Sequence, residues 1–541
     1  VVKSYRTLIP FLLFAGLIAG CAAPKQTIRI FPPDDQLVTV IYPRPTPTST
    51  FLAPSDSVIL KAAPDSLFLF GHVEDPNGRL EVNGQNIPLH PDGGWIAWVA
   101  RGDVLPLPES DRFHPGTYSK VTLRYETGSY DGQGTHRTSR TIRFVRTGPL
   151  TPDPAESVFH SKEMRLRVTG DDAKLRCGIP GTYDMFPVRG TVLIADGYQG
   201  VTERQWRIPL PQGRVGWIED SKVTVDPSLV IPQPLAISKV VCEVDGRNTR
   251  IRIPIGDKRL FRVDRVEDNR IDLTLFGAVS TTDIIVQPTE SRAVDEARWT
   301  QLDESTYQLT AIIRPEWFWG WETGYDAENW LVWKIVEAPE IRKKPLDGLV
   351  IVTDPGHGGE NLSAIGPTGF TEKNANRMLG DAVTAAFRAG GAVVYPTRTM
   401  DVQLSLNERV EFARSMKADL FISLHHNALP QGVNPFLHHG ASMHYYHRHA
   451  LPLAEALYRG MTDGEWAGDG VRYQDLAITR ASFCPTVLVE AGFMIHPEEE
   501  ALFKTPEHHE WIAEQMRSGL TDYLLDLRTR QQASLTSLRV R

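Results

Sequence analysis

The sequence predicts a multidomain chain, with all-β modules in its N-terminal part and an α/β domain at its C-terminal end. Three observations predict this. At 541 residues the chain exceeds the roughly 100 to 200 residues that one core ordinarily takes, so several domains are expected. From about residue 55 to 336, apolar and polar residues alternate between turn signals such as DPNG at 75–78 and DGG at 92–94, as in strands with one face in a core. Past the polar turn KKPLDG at 343–348, short apolar runs alternate with helical segments instead, as in an α/β domain.

At the N-terminus, Lys3 and Arg6 precede an apolar run from Leu8 to Ile18 that ends in IAGC at 18–21. The run is shorter than the roughly 20 residues of a membrane-spanning helix. It resembles a bacterial lipoprotein signal, in which small residues before a cysteine suit cleavage and lipid attachment. The resemblance implies a signal peptide over 1–20, lipidation of Cys21 as a membrane anchor, and a chain that leaves the cytoplasm. Ala22, rather than Asp, implies the outer membrane, facing the periplasm, if the organism is Gram-negative. The stretch 21–54 contains PRPTPTST at 43–50, a composition that favours an extended tether.

Three β modules are expected next. The first, 55–147, carries LFLF at 67–70 and TIRFV at 141–145, and its GHVEDPNGRLEVNG at 71–84 resembles the start of bacterial immunoglobulin-like domains. The second, 160–226, runs AKLR at 173–176, GTVL at 190–193 and GWIE at 216–219, an order similar to SH3-like envelope domains that bind wall peptides or act as spacers. A spacer is the default. The third, 235–338, alternates in TRIRIP at 249–254 and RIDLTL at 270–275 and resembles β-rich envelope-targeting modules. Its PEWFWGW at 315–321 offers an aromatic sugar-binding face or a packing seam, of which packing is preferred.

Composition narrows function. With 58 basic against 66 acidic residues, no basic excess points to nucleic acid. Cys177, Cys242 and Cys484 show no CxxC spacing, which argues against a thiolate metal site. Cys177 and Cys242 either pair in an oxidising envelope or stay as buried thiols, and Cys484 reads as structural.

The chemistry gathers in the α/β domain, 348–528. Strand-like runs stand at 349–352, 392–395, 420–423 and 487–489, and a helix over about 373–388 places Ala375, Met378, Leu379, Ala382 and Ala386 on one face. One strand runs into DPGHGG at 354–359, where glycines beside His357 let the backbone turn and leave the imidazole uncovered. A later strand ends in SLHHN at 423–427, presenting His425 or His426, and Glu372 stands at the mouth of the helix. Two imidazoles and a carboxylate are a common way to hold catalytic zinc with one position open for water. The apolar run TVLVEAGF at 486–493 stops on Glu490, placed to take and return a proton.

At these residues the sequence resembles the zinc-dependent N-acetylmuramoyl-L-alanine amidase family of the amidase 3 type, with its DPGHGG opening and SIHAN-like second histidine. The match spans about 349–525, and TR at 397–398, LNER at 406–409 and ADLFIS at 418–423 stand in the family's order. The resemblance implies one Zn2+ per catalytic domain, held by His357, Glu372 and His425, with Glu490 as catalytic acid/base. It implies hydrolysis of the amide between N-acetylmuramic acid and L-alanine in peptidoglycan, in wall remodelling or daughter-cell separation. The family frame selects His425, because His426 stands where a small residue is usual and strand neighbours point to opposite sides. Between 427 and 486 there is no clear room for the blocking helix that some relatives insert, which puts release by an activator in doubt, and a divisome or activator partner is not identified by the sequence. A second histidine cluster, His438, His439, His444, His447 and His449, reads as a substrate-contacting rim, a second ion site, or a solvated loop and strand face. The last is preferred, since no carboxylates are interleaved.

Overall fold

The structure is a computed structural model that describes residues 38–42, 57–60, 66–100, 105–106, 116–127, 136–147, 158–177, 185–200, 204–430, 432–464 and 466–538. The signal, Cys21 and the PRPTPTST stretch lie outside the described residues.

The first module has two sheets. Ser66–Val73 is the middle strand of one, between Val38–Tyr42 and Gly94–Ala100, all antiparallel. The tether expected over 21–54 therefore contains a strand. Its sequence VTVIY is β-branched and aromatic, and the prolines that argue for an extended chain begin only at Pro43. The other sheet runs in the order Ser57–Leu60, His136–Thr147, Gly116–Thr127, Arg79–Val82, Gln85–Ile87. Leu67, Leu69, Trp95, Val121 and Tyr125 share the core.

The second module is one antiparallel sheet in the order Val215–Glu219, Gln205–Pro209, Val192–Gln199, His160–Val168, Val223–Val225. In the third, a five-stranded and a four-stranded sheet enclose a core containing Ile237, Ile251, Leu273, Leu309 and Trp333. The run PEWFWGW is a seam rather than an exposed face: Trp317, Trp319 and Trp321 are 0, 2 and 6% exposed. Trp317 and Trp321 join this core, while Trp319 joins that of the C-terminal domain and donates from Nε1 to Asp419 O at 2.6 Å. No disulfide joins the cysteines among the described residues, and Cys242 and Cys484 are buried.

In the C-terminal domain the strands are β1 (Val350–Pro355), β2 (Val393–Pro396), β3 (Leu420–Asn427), β4 (Ala441–Tyr445), β5 (Gly468–Tyr473) and β6 (Thr486–Phe493). Their order is β2-β1-β3-β6-β4-β5. The first four are parallel, β4 is antiparallel to β6, and β5 is parallel to β4. The helices are α1 (Glu372–Ala389), α2 (Leu406–Ser415), α3 (Leu451–Thr462), α4 (Pro497–Phe503) and α5 (Pro506–Leu538).

On α1 the buried apolar stripe is Ala375, Leu379, Val383 and Phe387, so the expected face is rotated and Met378, Ala382 and Ala386 lie at its margin. The bulky Val383 and Phe387 take the centre because they bury more area than alanine. Helix α5 also outruns the expected boundary at 528: Gln531 donates from Nε2 to Pro339 O at 3.0 Å and accepts at Oε1 from Ile341 N at 3.1 Å.

Candidate active site

The parallel strands β1, β3 and β6 end side by side, and their C-terminal ends are where an α/β sheet offers a crevice. The turn after β1 is held by charges buried beneath it. Asp354 is fully buried and accepts from Arg409 Nη1 at 2.7 Å, Ser423 Oγ at 2.7 Å and Thr397 Oγ1 at 2.6 Å. Arg409 also donates to Pro355 O and His357 O, at 2.9 and 2.8 Å, while Arg398 donates to Pro355 O and Gly356 O, each at 2.8 Å. The landmarks TR, LNER and the serine of ADLFIS thus converge on the DPGHGG turn.

That bracing sustains an unusual backbone. His357 has φ 59°, a left-handed conformation costing a β-carbon-bearing residue about 1–2 kcal/mol. Gly356 is required for a different reason: a β-carbon there would sit 2.2 Å from the His425 ring. The turn brings the imidazoles of His357 and His425 edge to face, with ring centroids 4.8 Å apart.

Glu372 lies between them at the first position of α1. Its Oε1 is 3.2 Å from His357 Nε2 and 3.0 Å from His425 Nδ1, and Asn376 Nδ2 donates to it at 3.1 Å. Burial would raise this carboxyl, but the hydrogen bonds from both histidines overcome it and hold it well below the usual carboxylate range. The ligand atoms of His357, Glu372 and His425 all lie within 4.8 Å of one another.

Glu490 is the register partner of His425 across the β3–β6 ladder. Its Oε2 is sealed from solvent with no hydrogen-bond partner, a costly state for a carboxylate. Burial first, and the charge of Glu372 second, push its carboxyl well above the ordinary value. Such a group is poised to exchange a proton.

His426 points the other way. Its Nδ1 is 2.7 Å from Asn376 Oδ1, its ring packs on Phe503 with centroids 4.3 Å apart, and it is 2% exposed. It belongs to the support of α1, which leaves His425 in the crevice.

The second histidine cluster is a solvated face only in part: His439 is exposed and His438 and His447 are half-buried, whereas the other two are buried. His444 and His449 are each 5% exposed, and burial lowers His444 and His447 to about 4. Carboxylates are present but come from elsewhere in the chain: Asp469 Oδ1 is 3.0 Å from His438 Nδ1, and Glu499 Oε1 is 3.1 Å from His439 Nδ1. His439, His496 and Glu499 form a second group whose ligand atoms lie within 4.8 Å of one another. There the two rings stack at 3.9 Å, and Glu499 already accepts from Gly440 N at 3.1 Å and Phe493 N at 2.6 Å. Sequence reasoning missed Asp354, Asn376 and Glu499 as supports; a buried acid closing an apolar strand was the available signal for the first.

Two imidazoles and a carboxylate gathered at parallel strand ends, beside an acid with one sealed, unpartnered oxygen, are the makings of a hydrolase site. Residues 351–522 match the family described as N-acetylmuramoyl-L-alanine amidase. The probable cell wall amidase LytH of Staphylococcus aureus is 28% identical over 229 residues, which cover 42% of this chain and 71% of that protein. The C-terminal domain belongs to the N-acetylmuramoyl-L-alanine amidase family, and the protein is an enzyme of that activity, hydrolysing an amide bond of peptidoglycan. Similar solved structures include the amidase AmiC2 of Nostoc punctiforme, at 30% identity, 33% of this chain, 99% of that chain and TM-score 0.31. The catalytic domain of CwlV from Bacillus (Paenibacillus) polymyxa shows 26% identity over the same shares, also at TM-score 0.31.

Proposed function

We propose that this amidase uses one Zn2+, held by His357, Glu372 and His425, to hydrolyse the amide between the lactyl group of N-acetylmuramic acid and L-alanine. The observation that carries the reading is the convergence of two imidazoles on one carboxylate oxygen, Glu372 Oε1, beside the unpartnered Oε2 of Glu490. A nitrogen, nitrogen, oxygen set suits zinc and leaves a coordination position open. Bound there, the ion supplies Lewis acidity, which brings the pKa of water to about 7 and polarises a carbonyl.

The chain's own residues do the rest. Glu372 is held at the mouth of α1 by Asn376 Nδ2 at 3.1 Å and Ala364 N at 3.2 Å, so the carboxylate stays aimed between the two imidazoles. Glu490 accepts the proton of the attacking water. The oxygen of that water adds to the lactyl carbonyl carbon, the carbon–nitrogen bond breaks, and Glu490 returns the proton to the departing L-alanine amine. No covalent link to the enzyme forms. Arg409 and Arg398 hold His357 in place through the carbonyls of its turn.

In the cell, this reading has the chain attached by lipid at Cys21 in the envelope, with peptidoglycan as its partner and substrate, acting in wall remodelling or daughter-cell separation. In a Gram-negative organism the anchor lies in the outer membrane, facing the periplasm. Zymography on purified peptidoglycan tests the chemistry. Clearing is expected to vanish with chelator, return with Zn2+, and be absent in Glu490→Gln. Full activity of that variant would overturn the mechanism. Products with new alanine amino termini and muramic lactate carboxyls support the bond assignment, whereas cut cross-bridges would make the enzyme a wall endopeptidase.

A further inference from the structure

The first module touches the loops that carry the site. In Ser66–Val73 the side chains alternate: Leu67 and Leu69 enter the module's own core, while Phe68 and Phe70 face outward. On the neighbouring strand Ile96 pairs with Phe70 and Trp98 with Phe68, which makes one apolar patch on the outer face of the sheet. That patch is buried. Phe68, Phe70 and Ile96 form a single cluster with Ile365, Phe493 and Ile495, and Leu362 and Leu429 pack at its edge. Ile365 stands in the loop leading to Glu372, Leu429 follows the strand of His425, and Phe493 closes the strand of Glu490. Three of the four segments that present the site therefore rest on the module.

A polar chain runs beside the apolar one. Asp92, in the turn before Gly94–Ala100, accepts from Lys504 Nζ at 2.9 Å. Lys504 Nζ lies 3.5 Å from Glu500 Oε2, and Glu500 is fully buried. Glu500 Oε1 in turn accepts from Thr368 Oγ1 at 2.9 Å, Thr368 N at 3.1 Å and Phe370 N at 3.3 Å, which ties down the segment just before Glu372. Lys504 is the only charge among these contacts that neutralises the buried Glu500, and it is shared with the module.

We infer that the first module is a fixed wall of the catalytic unit, and that Lys504 and Glu500 are positioning residues that couple it to the loop presenting Glu372. Removing the contact frees residues 361–371, and turnover falls because Glu372 is no longer held where the imidazoles meet it.

The test uses the full chain. Hydrogen exchange over 361–371 is read by mass spectrometry in metal-free protein, so this arm stands whatever ion the triad holds. Lys504→Met and Phe70→Asp are each expected to speed exchange there about tenfold, and Lys504→Arg to stay within about twofold of the parent, since it keeps the shared charge. On purified peptidoglycan, Lys504→Met is expected to lower kcat about tenfold with KM nearly unchanged. Lys504→Met and Lys504→Arg leave the module's core untouched, so they decide the matter even if Phe70→Asp fails to fold. Unchanged exchange in Lys504→Met would overturn the inference, as would a loss that Lys504→Arg does not restore or a change confined to KM.

Discussion

Two groups in the catalytic domain have the same composition, two histidines and a glutamate, and they are built differently. Around Glu372 the rings meet edge to face at 4.8 Å and both approach a single carboxylate oxygen. Around Glu499 the rings stack at 3.9 Å, and the carboxylate accepts from two backbone amides as well as from His439. A metal needs donors whose lone pairs converge on a point. Glu372 also accepts from Asn376 Nδ2 at 3.1 Å and Ala364 N at 3.2 Å, but both of its histidines turn a nitrogen to one oxygen, whereas His496 Nε2 in the second group lies 2.8 Å from His438 O. The second uses its carboxylate to hold the end of β6 and the start of β4, so residue type alone does not distinguish a ligand set from a brace.

The contrast is broken most directly by metal analysis. His425→Ala is expected to purify without zinc and without activity, whereas His439→Ala retains one zinc per chain by elemental analysis and most of its turnover. Loss of zinc in both would merge the two groups into one site. Next in size is Arg409→Met, which strands the buried carboxylate of Asp354 beneath the front turn. About 3–5 kcal/mol of stability is expected to go, read by chemical denaturation, because an unpaired buried charge remains.

Glu499→Ala tests the brace. It leaves the amides of Phe493 and Gly440 unpaired, at about 1–3 kcal/mol, with zinc content unchanged. The smallest effect is in pH. The hydrogen bond to Glu499 raises His439 above its ordinary 6.5, so the stabilisation is complete below that value and fades as pH rises through the folded pKa. With the His439 side chain 43% exposed, the pair is worth well under 1 kcal/mol. His439→Gln should therefore lower Tm slightly at pH 5.5 and not at pH 8.5.

Much of the site could be read from the chain because its parts leave local marks. A histidine between glycines, an acid at a helix mouth and an acid ending an apolar run are visible within a few residues. Which of His425 and His426 faces the crevice follows from strand geometry together with the position of α1, whose Asn376 engages the latter. What local pattern does not carry is partnership over distance. Glu499 reaches His439 across 60 positions and Lys504 reaches Asp92 across 412, so neither pair leaves a mark near its histidine or its turn. The same holds for LFLF at 67–70, where alternation identifies a strand but only the docked C-terminal domain explains why both faces are apolar. The rotated stripe of α1 is a smaller case, settled by which side chains best fill the space above the sheet.

The length of α5 bears on how this enzyme can be taken apart. The matched family region stops at 522, but the helix continues to Leu538, and its last turns lie under the seam tryptophans of the neighbouring sandwich. Ser534 Oγ accepts from Trp317 Nε1 at 3.3 Å, and Leu535 packs against the sandwich core. Cutting the gene at the family boundary would sever a helix in mid-course and expose tryptophan on the other side. The catalytic part is therefore not an interchangeable cassette: an exchange between relatives would have to carry the sandwich with it.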